Sequence, residues 1–353
     1  MAEPDARAAV EAMEYFFEQG WADGLPVVPP TPSRVEAFLA TTPRARDEVL
    51  YRLDSVGREC TVELAAINAV MAGCLPEYFP VVLAAFEAVV REDAAYFGAW
   101  QSTTGGGPLL IVNGPLRRTL GFNAAGNVLG PGFRANATVG RAIRLIIANV
   151  FGLRPHELDQ ATQGTPVRYG LCIAENEEDS PWEPLHVALG WAPEDTVVSA
   201  VHVRSVDFLD NRQTSNPEHI LQDLVDTVNR TGVMVRPRQW AILILGPEHA
   251  QLLARHGFSR ADVQRWVYEH AGHTWGRLAS VGKDGIEQPI GFVRPATPEE
   301  RAGHPDDEWV PFLRSPDHVL VVVAGAPNAG VSSVAQPFSN RRVFPGTARV
   351  VTK

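Results

Sequence analysis

Apolar and polar positions along the chain follow two periods, and each period marks a set of elements. From about Asp5 to Gln19 the apolar residues recur at helical spacing, predicting an amphipathic opening helix. The Pro-rich run GWADGLPVVPPTPSRVEAFL forces extended chain, after which Thr31 or Ser33 can cap a short helix. TVELAAINAVMAG is apolar on nearly every side and starts at a plausible N-cap, Thr61, so it reads as a buried helix. A second apolar helix is expected from about Tyr78 to Arg91. Farther on, Val139, Ile143, Ile146, Ile147 and Val150 share one helical face, with Gly152 at the natural stop. FSRADVQRWVYEHA reads as another helix.

Three segments have a different design: a continuous apolar run that ends in a Gly-containing turn. They are LLIVNGP (109–115), AILILGPEHA (241–250) and VLVVVAGAPNAG (319–330). Such runs imply strands buried on both faces, as in a helix-covered sheet, and ligands gather where strand ends of this kind meet loops. The pattern predicts an α/β protein with open, largely parallel sheets covered by helices. Two lobes are expected, 1–190 and 191–353, the second with a Pro-rich, charged surface excursion near 282–317. The likeness between LLIVNGP…LGF and ILILGP…HGF leaves an internal duplication open beside the plainer reading of two strands with similar turns.

Composition narrows the function classes. A net charge of −10 over 353 residues, with no basic run, argues against nucleic acid and against a membrane surface. Cys60, Cys74 and Cys172 are odd in number and widely spaced, so neither a disulfide scaffold nor a Cys/His zinc site is expected. The first residues, MAEPDARAAVEAMEYFF, lack the layout of a signal peptide, and the apolar runs are too short to span a membrane. Cytoplasm is the expected location. Homo-oligomerisation is expected only on the general frequency of symmetric assemblies among such proteins.

Four stretches carry candidate chemistry. In GNVLGPGFRANATVGRAIRL a Gly-Pro-Gly loop leads into a helix N-terminus with Arg134, Asn136, Arg141 and Arg144 nearby, a suitable place for a carboxylate or phosphate. A flexible lead-in with surface arginines would produce the same pattern. In YGLCIAENEEDSPWEPLHVALGW an apolar strand start, 169–174, runs into Glu175, Asn176, Glu177 and Glu178, with His186 following. If the chain stays extended, Glu175 and Glu177 share a face. These groups could serve acid–base chemistry or hold a metal, although their spacing matches no specific metal motif. Cys172 and Cys74 are candidate thiols, reactive only if a cationic neighbour or helix N-terminus depresses their pKa. At the strand ends, Asn113, Gly114 and His249 are candidate ligand-binding positions, with capping or packing the plainer role for His249.

Two motif matches fail. GAPNAGVS has the glycines of a phosphate-binding loop but Val331 where the lysine belongs. The glycines 105–107 precede a strand and so form no dinucleotide fingerprint.

Taken together, GWADGLPVVPPT, AINAVMAGCLPEYFPVVLAA, NVLGPGFRANATVGRAIRL and CIAENEEDSPWEPLHVALGW resemble an uncharacterised bacterial family associated with UGSC-motif proteins, which are thiol or selenol redox proteins. The resemblance implies a partner subunit and thiol-linked chemistry. This chain has no UGSC or CGSC sequence, so such a centre would come from the partner.

Three readings follow. The first is an enzyme or enzyme subunit acting on a small anionic substrate held by Arg134, Asn136 and Arg141, with Cys172, Glu175 and His186 supplying thiol or proton-transfer chemistry. The second is a metal-dependent hydrolase or lyase using Glu175, Glu177, Glu178 and His186. The third is a non-catalytic subunit that positions a partner's redox centre. None of them names a cofactor.

Overall fold

The structure, a computed structural model, describes residues 6–91, 100–230, 240–287, 293–338 and 345–353. The helices used below are α1 (Ala6–Glu18), α2 (Pro32–Leu39), α3 (Val62–Ala72), α4 (Phe79–Val90), α5 (Leu116–Thr119), α6 (Arg134–Asn149), α7 (Pro217–Val228), α8 (Pro247–Arg255) and α9 (Arg260–His270). The strands are β1 (Val49–Leu53), β2 (Arg58–Thr61), β3 (Gly107–Asn113), β4 (Leu171–Ala174), β5 (Val197–Asp210), β6 (Ala241–Leu245), β7 (Val319–Val323), β8 (Val331–Pro337) and β9 (Gly346–Arg349). The chain is a mixed α/β protein that divides into two compact units. One comprises 1–175, 186–204 and 343–353; the other comprises 176–185 and 205–342.

In the first unit β3 pairs parallel with β4 and antiparallel with β5, and β9 pairs antiparallel with β5. Every residue of β3 is buried, as its unbroken apolar run requires. Leu110, Val112, Cys172, Ala174, Val198 and Ala200 face a core built by α3, α4 and α6. The Thr61 hydroxyl accepts the Leu64 N–H at 3.2 Å, so α3 starts at its expected cap. Thr31 precedes α2 without any such bond. Val139, Ile143, Ile146 and Ile147 of α6 are buried, and Val150 packs against the same core.

In the second unit β6 pairs parallel with β7 and antiparallel with β8. α7, α8 and α9 supply its core residues, among them Leu224, Leu253 and Val267. A capping box between Ser259 and Asp262 starts α9. The Pro-rich stretch 282–317, of which 288–292 lie outside the described residues, contains a short helix, Pro298–Ala302. It also contains a strand, Trp309–Pro311, paired with Gly272–Thr274.

The pairings within the described strands of the two units are mixed, where the apolar runs predict a largely parallel sheet. An unbroken apolar run reports burial on both faces and does not encode strand direction. β5 is buried through its first seven residues and still runs against β3. In each unit a strand followed by two helices has one parallel and one antiparallel neighbour, but in the second unit further short strands and helices come between α9 and β7. The Gly-Pro turns of the two units are also one residue out of phase. Leu245 faces the helices directly before Gly246, whereas the last such residue of β3 is Val112, two before Gly114. The likeness is one of strand neighbours and does not extend residue for residue.

One contact sets the position of α6. A Cβ added to Gly140 would lie 2.9 Å from the Gly170 carbonyl carbon, and one added to Gly170 would lie 2.4 Å from that of Gly140. Helix and pre-strand turn therefore touch backbone to backbone. On an open helix surface Gly→Ala gains about 1 kcal/mol of propensity. Here a methyl meets atoms that no rotamer change can move, and overpacking of that kind costs about 1–3 kcal/mol. Gly140→Ala should therefore lower the urea unfolding midpoint, and Gly140→Val should lower it further. An unchanged or raised midpoint for Gly140→Ala would show that the contact is slack.

Candidate functional site

Between α6 and β4 the chain runs through residues 150–165 without helix or strand, then a 3-10 turn, Pro166–Tyr169. Structureless loops of that length inside a compact unit are usually binding elements. This one walls a cavity of about 830 Å³, completed by Gly20, Ala22, Asp23 and Gly24 and by Arg144 and Ala148 of α6.

Three guanidinium groups line it: Arg144, Arg154 and Arg168. Arg168 is seated against Gly107, the first residue of β3, since the Cβ that Gly107 lacks would fall 3.2 Å from the Arg168 Cα. Arg144 is buried, with its guanidinium carbon 5.9 Å from the ring centre of Trp100 and a long bond, 3.4 Å, to the Leu153 carbonyl. The buried Asp159 carboxylate bonds Arg168 and lies 3.7 Å from Arg144. Its other oxygen accepts the Ala161 N–H at 3.1 Å, which holds the loop in a turn. Arg154 has no hydrogen-bond partner at Nε.

The balance of charge is positive. The second wall carboxylate, Asp23, is taken by Arg141 through Nε and Nη2 at 2.9 and 2.7 Å. Asp159 alone therefore faces three arginines. Burial, and next the neighbouring Arg168, push the Arg144 guanidinium below its ordinary pKa. Burial first, then Arg168 and Arg204, push the His202 imidazole down to about 3.

The predicted site residues have other surroundings. Arg134 is exposed and donates to the Gly73 carbonyl at 2.9 Å, beyond the end of α3. Asn136 is buried, bonding both the N–H and the carbonyl of Asn123 and the Cys172 carbonyl. Besides Asp23, Arg141 donates to the carbonyls of Leu25 and Pro26, stapling the ADGLP turn to α6. These three side chains serve the fold at separate points. Gly114 has φ +90°, and the Asp195 carbonyl occupies the place of its missing side chain.

At the carboxyl ends of β3 and β4 the buried Asn113 amide donates to the buried Glu175 carboxylate at 2.5 Å. A carboxylate so held can take part in proton transfer. The arginine cavity lies before β4 and Glu175 after it. Four residues of strand separate Leu171 from Glu175, about 13 Å at ~3.3 Å per residue. One small substrate cannot touch both ends.

β4 begins at Leu171, so Tyr169, expected in the strand, instead lies on the cavity wall and is 60% exposed. The strand stops at Ala174, and residues 177–179 turn, so Glu175 and Glu177 do not share the face of one strand. Glu178 is exposed. His186 is buried, and neither ring nitrogen has a hydrogen-bond partner. In the other unit, His249 bonds the Ser332 hydroxyl at 2.8 Å and the Asn211 carbonyl at 2.9 Å, tying α8 to β8. Among the described residues no three His, Cys, Asp or Glu side chains gather as a metal site.

The thiols are all buried. Burial pushes Cys60 and Cys74 up to about 12 and raises Cys172 as well, so all three stay protonated at neutral pH. No described helix is long and apolar enough to cross a membrane.

Comparison with protein-family models, curated proteins and solved structures found no match.

Periodicity overlooks Arg154, Asp159 and Arg168 because the loop that carries them has none. Its readable signal is the interval of irregular, Gly- and Thr-rich chain between a strong helix and an apolar strand.

Two outcomes follow. Asp159→Asn leaves buried guanidiniums without their carboxylate and should cost roughly 3–5 kcal/mol in chemical denaturation. Added sulfate should recover part of that loss, and a variant as stable as the parent would refute the role given to Asp159. For His202 the folded state prefers the neutral ring, so the unfolded chain takes up the proton first. Stability should fall as pH drops from about 6.5 towards about 3, by at most ~1.36 kcal/mol per pH unit. His202→Gln should flatten the urea midpoint between pH 6 and 4, and an identical slope would assign the acid sensitivity to other groups.

Proposed function

We propose that this protein binds a small anionic substrate in the cavity lined by Arg144, Arg154 and Arg168, as an enzyme or as the substrate-binding subunit of one. The observation that supports this reading is the unbalanced charge: three guanidiniums share one carboxylate, Asp159, in a chain whose net charge is −10. Arginine is suited to the task. It stays charged when buried, and its planar fork matches carboxylate and phosphate oxygens two at a time. The three groups divide the work. Arg144 and Arg168 are held by Asp159, Trp100 and the loop backbone, so they form a prepared floor. Arg154, whose buried Nε has no hydrogen-bond partner, keeps donor capacity for an arriving anion.

Calorimetric titration of inorganic phosphate and sulfate tests the reading. Arg154→Ala should weaken binding at least tenfold while leaving the unfolding midpoint within error, the pattern expected when a ligand contact is lost without a fold contact. Arg141→Ala should instead lower the midpoint, because Asp23 loses its partner, and weaken binding as well, because Asp23 then faces the cavity unneutralised. Absence of saturable binding by the parent protein, or equal binding by Arg154→Ala, would defeat the proposal.

A further inference from the structure

The same cavity carries information about the class of anion, and this step rests on the anion-binding reading above. Counting Arg141 with the Asp23 it neutralises, four guanidiniums face two carboxylates, leaving two positive charges to be met. A monoanion would leave one of them buried and uncompensated, a costly arrangement in a partly desolvated site. A dianion matches. The cavity, at about 830 Å³, is also far larger than a bare tetrahedral oxyanion and falls within the size range of sites for whole small molecules. The ligand therefore has a body besides its charged head. On the wall next to Arg168, Tyr169 is 60% exposed, an uneconomical place for an aromatic ring unless its face is used. Stacking of a flat ring on an aromatic side chain contributes about 1–3 kcal/mol per ring.

We infer that the ligand is a phosphate monoester carrying a flat ring, its dianionic phosphate held by Arg144, Arg154 and Arg168 and its ring laid against Tyr169. A phosphate monoester has its second pKa near 6, so the required dianion predominates above that pH and falls to about a tenth at pH 5. The titratable and charged groups facing the phosphate are Arg144 from α6, Arg154, His156, Asp159 and Arg168 from the loop, and Asp23 from the N-terminal turn. Any proton gained by these groups adds positive charge and would strengthen binding of an anion of fixed charge. A loss of affinity on acidification must therefore come from the ligand.

The test is isothermal titration of the full chain in phosphate-free buffer at pH 7.5 and pH 5.0. The probes are adenosine 5′-monophosphate, uridine 5′-monophosphate, pyridoxine 5′-phosphate, inorganic phosphate and succinate. At pH 7.5 at least one ring-bearing monoester should bind tenfold or more tightly than inorganic phosphate, and it should weaken about tenfold at pH 5.0. Tyr169→Ala should abolish the advantage of that monoester while leaving the inorganic phosphate constant within twofold. Phosphate bound as tightly as every monoester, or monoester affinity unaffected by Tyr169→Ala, would overturn the ring. Succinate bound as tightly as the monoesters, with no loss on acidification of the monoesters, would overturn the phosphate while leaving an anion site in place. Failure of every probe, inorganic phosphate included, would overturn the anion-binding reading itself.

Discussion

The backbone contact between Gly140 and Gly170 is the constraint from which the site follows. Because neither residue has a side chain, α6 lies directly on the turn that leads into β4. Arg144 comes one helical turn after Gly140 and so falls on the same face of α6, while Arg168 comes two residues before Gly170. The glycine contact thereby brings two guanidiniums into one neighbourhood. Asp159, carried by the intervening loop, reaches both and makes their proximity tolerable. A longer side chain at either glycine would prise the helix from the turn and separate the arginines.

The electrostatics of that neighbourhood are unusual for an acidic chain. Two like charges a few ångströms apart repel by several kcal/mol in a partly buried setting, even at an effective dielectric constant of about 20. The carboxylate between two arginines outweighs their repulsion but leaves the trio with one net positive charge, and Arg154 adds another. A fold that needed only rigidity here could use apolar side chains, which often equal or exceed buried ion pairs in stability. Burial is the main cause of the lowered pKa values of Arg144 and His202, and Arg168 adds to both. Arginine is also nearly the only cation available, since Lys283 and Lys353 are the chain's two lysines.

Local features of the fold could be read in advance because their causes are local. Thr61 starts α3 because a hydroxyl at that position reaches an N–H three residues on, and 139, 143, 146 and 147 are buried because helical spacing puts them on one stripe. Strand direction could not be read, since apolar runs look alike in parallel and antiparallel pairs. The block around Arg134, Asn136 and Arg141 was legible as important but not as structural. Nothing in the spacing shows that Asp23, more than a hundred residues earlier, will claim Arg141. The cavity was the least legible feature of all. Arg154, Asp159 and Arg168 lie in chain without a period, and their meeting depends on Gly140 and Gly107 letting helix and strand come close beside them.

The choice between thiol chemistry and anion recognition turns on desolvation, and the same physics acts oppositely on the two groups. Burial penalises the charged form of both. A thiol has an easy neutral form, so burial leaves Cys60, Cys74 and Cys172 protonated and poorly nucleophilic. A guanidinium starts so far above neutrality that even a lowered pKa leaves it charged, and partial burial then strengthens its attraction for an anion. The environment that silences the thiols therefore sharpens the arginines. On the reading proposed above, the chain contributes what its buried cysteines cannot: a fixed, charged seat for an anion.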